Sequence, residues 1–198
     1  MIAIVDYQAG NIASVKNALD RLGVESVVTA KPADILAADG VIFPGQGRAG
    51  AAMKELGRTG LDRAIPRVTK PFLGICLGMQ LLAEFSEEDN RRCLGVIPGK
   101  CRKFPRSVKT PQLGWNKVKF GRGAPLVKGI KNGEYFYFVH SYYFDAGQTF
   151  VAGTTDYGFE FPSMLQKDNF FAVQFHPEKS GQAGEQLLKN FCEACKCL

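Results

Sequence analysis

Four short apolar runs that alternate with helical patterns constrain the fold of this chain more than any other feature. IAIV (2–5), VESVV (24–28), VIF (41–43) and PFLGI (71–75) have the length and β-branched content of buried strands. Residues 11–22 repeat Ile12, Val15, Leu19 and Leu22 at amphipathic-helix spacing, and Gly23 is a natural stop. Helical patterns follow over about 49–57 and 60–68, and a further helix is expected over 77–85. Strands alternating with helices predict a parallel sheet covered on both faces.

Beyond residue 90 the alternation stops. KVKF (117–120), YFYFVHSYYF (135–144), FVAGTT (150–155), FPSMLQ (161–166) and FFAVQF (170–175) follow one another as β-prone runs, with a last helix over 182–195. These predict antiparallel additions to the sheet. With no repeat and no low-complexity linker, the reading is one α/β domain over 1–198, a three-layer, doubly wound, mostly parallel sheet. A chain of 198 residues buries roughly 70% of its unfolded surface and needs no disulfide staple.

The apolar run before Asp6 is too short for a signal-peptide core, and no window approaches the ~20 apolar residues of a membrane span. The expected location is the cytoplasm. There the six cysteines are expected as free thiols, one of them reactive. Cys192 and Cys195 in the tail CEACKC have zinc-knuckle spacing, but Cys93 and Cys101 are eight apart and supply no second close pair. The tail is therefore expected to be a frayed helix end, with no metal and no cofactor.

Net charge is +6 and unevenly spread: between residues 90 and 133 there are twelve Lys or Arg and no acid. Such a stretch attracts nucleic acid, phosphorylated ligands or an acidic surface. It carries no recognisable nucleic-acid motif, and a solvated face is the plainer reading; a non-catalytic basic binding protein is the alternative from another functional class.

Chemistry concentrates in Gly74-Ile75-Cys76-Leu77-Gly78, a strand-to-helix elbow that lifts a nucleophile to the carboxyl edge of a sheet. A helix N-terminus also favours a thiolate. A cysteine nucleophile wants a histidine, and the chain has two. His176 ends an apolar strand, Pro177 stops the ladder, and Glu178 is placed to orient the imidazole, giving a Cys76–His176–Glu178 constellation. His140 has no such acid beside it. Gln80, four residues past Cys76, projects from the same helix face.

GICLGMQLL (74–82) with QFHPEKSG (174–181) resembles the triad (class I) glutamine amidotransferases. DYQAGNIASVKNALDRLG (6–23), PGQG (44–47), LGWN (113–116), YFYFVHSY (135–142) and LQKDNF (165–170) are similar to the glutaminase subunits of imidazole glycerol phosphate synthase. The resemblance implies a flavodoxin-like fold and hydrolysis of glutamine to glutamate and ammonia through a thioester on Cys76. His176 would be the base and Glu178 its orienter. The oxyanion would be held by the N–H of Leu77 and by one from Gly45–Gln46–Gly47. Gly47, Gln80, Glu88, Ser141 and Tyr142 match positions that hold glutamine. Ammonia would pass to a barrel-shaped cyclase subunit that forms imidazole glycerol phosphate and an aminoimidazole carboxamide ribotide, in histidine biosynthesis. Asn11, Lys16, the Trp115 loop and Tyr137 match the partner side. Two positions depart from the pattern: Gln46 stands where valine is usual and Gln112 where histidine is usual. They leave open a paralogous glutaminase that feeds a different acceptor.

Overall fold

The computed structural model describes residues 1–8, 11–121 and 123–198; Ala9 and Gly10 of the first motif and Arg122 of the basic stretch lie outside the described residues. The first half runs β1 (Ile2–Val5), α1 (Ile12–Arg21), β2 (Ser26–Thr29), α2 (Pro32–Ala37), β3 (Gly40–Phe43), α3 (Ala49–Thr59), α4 (Leu61–Ala64), β4 (Phe72–Ile75) and α5 (Leu77–Gln80). Then come β5 (Phe85–Ser86), β6 (Arg91–Arg92), β7 (Gly99–Lys103), β8 (Gln112–Phe120), β9 (Glu134–His140) and β10 (Tyr142–Ala146). The chain closes with β11 (Val151–Asp156), β12 (Glu160–Lys167), β13 (Phe170–Val173) and α6 (Gly181–Ala194).

Nine strands form one sheet in the order β2-β1-β3-β4-β13-β12-β11-β8-β9. The first five are parallel and the last four join antiparallel. The parallel part has the doubly wound order in which ligands bind beyond the carboxyl ends of the strands. Alternate residues of each central strand feed two cores. Ala3, Val5, Val41, Phe43 and Phe72 pack under α2, α3 and α4, whereas Ile2, Ile4, Ile42, Leu73 and Ile75 pack under α1 and α6. Burial on both faces is why these strands read as continuous apolar runs.

Several sequence expectations need correction. The helix expected over 77–85 ends at Gln80. The N–H groups of Leu82 and Ala83 bond only three residues back, and the carbonyls of Leu81, Leu82 and Ala83 accept from residues 94–97 instead. Leu81, Leu82 and Ala83 are all fully buried, so their apolar pattern reflects enclosure on every side rather than a helix face. The run 135–144 is two strands. β9 pairs with β8, β10 pairs with β7, and Ser141 is the joint between two sheets. The second sheet, β10-β7-β5-β6, and helix α2 carry little periodicity and were not anticipated. Trp115 lies in strand β8 rather than in a loop.

The tail differs as well. Cys192 and Cys195 are buried, and Cys195 Sγ occupies the space a side chain at Gly40 would need. The end of α6 is thus part of the core and not frayed. All six cysteines are free thiols. Among the described residues no helix is long and apolar enough to cross a membrane.

Helix α5 approaches β3 so closely that a Cβ on Gly78 would be driven into the carbonyl oxygen of Phe43. Backbone cannot turn aside as a side chain can, so Gly78→Ala should lower stability by about 3 kcal/mol or more. Gly57 in α3 has ordinary room, with Asp62 Oδ2 3.9 Å from where the Cβ would sit. Gly57→Ala should therefore stabilise by roughly 0.5–1 kcal/mol through helix propensity. Urea midpoints of the two variants against the parent chain check both signs.

Candidate active site

The carboxyl ends of β1, β3, β4 and β13 deliver four segments to one place. Cys76 follows β4 directly, with φ 54° and ψ −109°, outside the regions a non-glycine residue ordinarily occupies. A residue held this way costs about 1–3 kcal/mol and persists only where the surroundings enforce it. Here the enforcement is the Cys76 N–H bonded to Val173 O at 2.8 Å and the Gln80 N–H bonded back to Cys76 O at 3.1 Å. The sulfur lies 3.7 Å from Val139 O on β9 and 3.7 Å from the side-chain nitrogen of Gln174. Only one helical turn stands behind Cys76, so the helix contributes less field than the sequence suggests.

His176 follows β13 and is buried. Its Nδ1 donates to Glu178 Oε1 at 2.8 Å, and both side chains are shut off from solvent. Asn11, at the start of α1, donates from its side chain to the same Glu178 oxygen, with His176 Nδ1 3.4 Å away. Expected on the partner side, Asn11 thus braces the carboxylate of the constellation. The outer nitrogen, Nε2, is buried without a hydrogen-bond partner among the described residues. Burial alone would push the imidazole down. The negative charge of Cys76, followed by the hydrogen bond and charge of Glu178, overcomes this and raises His176 to about 10. The turn is fixed by Ser180, whose hydroxyl donates to His176 O at 2.6 Å and accepts the Tyr137 N–H at 3.0 Å, while His176 N–H donates to Tyr137 O at 2.9 Å.

A cleft of about 320 Å³ opens beside the sulfur, lined by Gln46, Gly47, Cys76, Leu77, Gln80, Glu88, Pro111, Val139, His140, Ser141 and Tyr142. It brings together Leu77, Gln46 and Gly47, expected at the oxyanion, with Gln80, Glu88, Ser141 and Tyr142, expected at glutamine, while Gly45 is not in its lining. The residues do not all point in freely. Gln80 spends its amide nitrogen on Tyr142 O (2.9 Å) and Gln174 Oε1 (3.0 Å). Glu88 gives one oxygen to the Ala49 N–H at 2.8 Å; burial pushes its carboxyl up while that bond works against the shift. Ser141 O accepts the Phe104 N–H.

His140 forms part of the cleft wall. Its Nδ1 is 2.7 Å from Tyr142 O and its Nε2 is 2.9 Å from Gln112 Oε1. Burial lowers it to about 4, with His176 pushing the same way against the Tyr142 bond, so the ring is neutral near pH 7. A neutral ring donating from Nδ1 needs a donor at Nε2. The Gln112 amide nitrogen is buried without a partner among the described residues. Half a turn of the carboxamide satisfies both groups. Gln112 thus fills a supporting role behind His140. Gln174, Pro111 and Asn11's contact with Glu178 were missed by sequence reasoning. Gln174 had a signal, since it sits two residues before His176 on the same side of an extended chain.

The residues expected at a partner surface fall on β8, β9 and the first helix. Trp115 and Tyr137 meet edge to face at 6.1 Å, with Trp115 55% exposed and flanked by exposed Leu113 and Tyr135. Lys179 Nζ lies 6.0 Å from the Tyr137 ring. Lys16, on α1, pairs with Asp20 at 2.6 Å.

Residues 3–195 match the family model "Glutamine amidotransferase class-I". Among curated relatives, the imidazole glycerol phosphate synthase subunit HisH of Nitratidesulfovibrio vulgaris is 46% identical over 207 residues, covering 99% of this chain and 98% of the relative. HisH of Bacteroides fragilis is 50% identical over 195 residues, covering 97% and 98%. Among solved structures, a glutamine amidotransferase superposes with TM-score 0.78 at 19% identity over 99% of this chain and 100% of the other. PurLQS from Thermotoga maritima gives 0.75 at 17% over 97% of both chains. Those structures share the fold; the family rests on the sequence matches, by which the chain belongs to the class-I glutamine amidotransferases and, within them, to the imidazole glycerol phosphate synthase HisH subunits.

Proposed function

We propose that this chain hydrolyses glutamine at Cys76 and passes the ammonia to a cyclase subunit making imidazole glycerol phosphate and an aminoimidazole carboxamide ribotide. The observation that carries the reading is the buried Cys76–His176–Glu178 array, with Cys76 on the wall of a cleft small enough for an amino acid and lined in part by Gln80, Glu88 and Ser141. The Cys76 sulfur attacks the side-chain amide carbon and forms a C–S bond. The carbonyl oxygen takes the charge, held by the N–H of Leu77 and one from Gly45–Gln46–Gly47. The His176 imidazolium gives its proton to the amide nitrogen, the C–N bond breaks and ammonia leaves. Water, deprotonated by His176, cleaves the thioester to glutamate and restores the thiol. Glu88 and the Ser141–Tyr142 backbone hold the amino-acid end, while Gln80 fixes the Tyr142 carbonyl that walls the cleft.

The cyclase docks on Trp115, Tyr137 and the first helix with Asn11 and Lys16. Support comes from the exposed aromatic group there, beside a groove of about 580 Å³ lined in part by Trp115, Tyr135 and Ser180. Ser180 also touches His176, so the same strand and turn reach from that surface to the base. Six free thiols fit a reducing compartment, and we assign the enzyme to the cytoplasm.

Replacing Cys76 or His176 by Ala should lower kcat for glutamate release by more than ~10⁴-fold, and Glu178→Gln should cost roughly a hundredfold less than either. His140→Asn should be milder than His176→Ala. Equal losses at the two histidines, with folding intact by circular dichroism, would overturn the assignment of the base.

Because the raised His176 is protonated below its pKa and loses its proton above it, the alkaline limb of kcat should lie well above pH 6.5, the value of a free imidazole. Glu178→Gln removes one of the groups that raise it, so the limb should move to lower pH. A pH–rate profile of the two proteins checks the direction.

Coupling predicts that the chain alone is slow and that cyclase with its nucleotide ligand accelerates it by at least ~10²–10³-fold if one oxyanion donor is withheld in the free chain. Full glutaminase activity of the free chain would count against it.

A further inference from the structure

Tyr7, just past β1, is 3% exposed, and its hydroxyl has no hydrogen-bond partner among the described residues. Nearly all buried hydroxyls in folded proteins are bonded, so an orphan of this kind needs a reason. Its surroundings supply one. The hydroxyl lies against Gly45, where a Cβ would collide with it and come within 3.1 Å of Leu77 Cβ. The ring is held by Phe43 at 5.1 Å between centroids. Tyr7 is thus fixed under the segment that carries one oxyanion donor and beside the residue that carries the other.

The segment itself is a thin wall. Gln46 and Gly47 line the cleft that holds Cys76, and they also line a second cavity, of about 290 Å³, shared with Tyr7, Arg48, Ala52 and Glu55. Gly47 has φ 107° and nothing near the position of a side chain. A peptide between two cavities has room to rotate, and rotation sends its N–H to one side and its carbonyl to the other. An N–H aimed at Cys76 therefore turns a carbonyl toward the Tyr7 side, where it needs a donor.

We propose that Tyr7 is a positioning residue for glutamine hydrolysis: its hydroxyl donates to the carbonyl that turns away from Cys76 when a peptide of Gly45–Gln46–Gly47 aims its N–H at the oxyanion. This rests on the glutaminase reading above and adds a residue to it. Burial and the charge of Cys76 both hold the phenol in its protonated, donating form. In the resting conformation the hydroxyl is unpaired; in the active one it is paired.

Tyr7→Phe tests this because it removes the hydroxyl and little else. In the complex with the cyclase, kcat for glutamate release should fall about 10–100-fold, less than the ~10²–10³-fold for a donor lost outright, with KM within twofold of the parent. The isolated Tyr7→Phe chain should melt about 2–4 °C higher, because an unpaired buried hydroxyl is gone. Inactivation by iodoacetamide, which forms a C–S bond at Cys76 and expels iodide without an oxyanion, should proceed at the parent rate. Unchanged kcat overturns the proposal. So does a lower melting temperature, which marks a packing role, or slower alkylation, which marks an effect on the thiol itself. A parent complex without glutaminase activity would sink the functional reading and this inference together, whereas an active parent matched by Tyr7→Phe sinks the inference alone.

Discussion

Everything at the site depends on one close approach: the backbone of α5 resting on the carbonyl of Phe43, with no side chain at Gly78 to hold them apart. That contact lets Cys76 sit beyond the sheet edge, where its bonds to Val173 and Gln80 hold its positive φ. The parallel pairing of β4 with β3 and β13 supplies the rigidity that keeps a strained residue in place. Because β3, β4 and β13 are neighbours, the segments after them converge without further design. The glycine-rich segment leaves β3, the sulfur leaves β4, and the imidazole leaves β13.

The base is assembled by a different kind of constraint. Glu178 and His176 are removed from water, which is unfavourable unless the charges are paired and bonded. The imidazole and the Asn11 amide bond the carboxylate, and the charge of Cys76 favours the imidazolium. One carboxylate oxygen, Oε2, is buried without a partner among the described residues, a departure from full satisfaction beside the reacting groups. His140 shows the opposite outcome in a similar degree of burial. It has neutral partners, so desolvation prevails and the ring carries no charge.

Much of this was legible in the residues. The apolar runs marked the parallel strands because burial on both faces leaves no other composition for them, and the glycines around Cys76 marked the elbow because only they fit it. His176 stood out through Pro177 and Glu178. What could not be read was whatever depends on chain segments meeting from afar. Leu81–Ala83 look helical because enclosure, like a helix, selects apolar residues. The break at Ser141 is invisible because both strands it joins are aromatic and β-prone, and only the existence of two partners separates them. Asn11 reaches Glu178 across 167 positions of sequence, and Gln112 reaches His140 across 28. Short polar residues with remote partners leave no local pattern.

Strand β9 closes one end of the nine-stranded sheet, and an open strand edge is a template for pairing with another molecule. Here the edge is occupied at its middle. Tyr137 gives its N–H to Ser180 and its carbonyl to His176, the two residues that bracket the turn carrying Glu178. The turn that shapes the base is therefore also a guard against aggregation. Selection for a soluble chain and selection for an oriented imidazole act on the same two hydrogen bonds, so a sequence that drifts at Ser180 is exposed to loss on both counts at once.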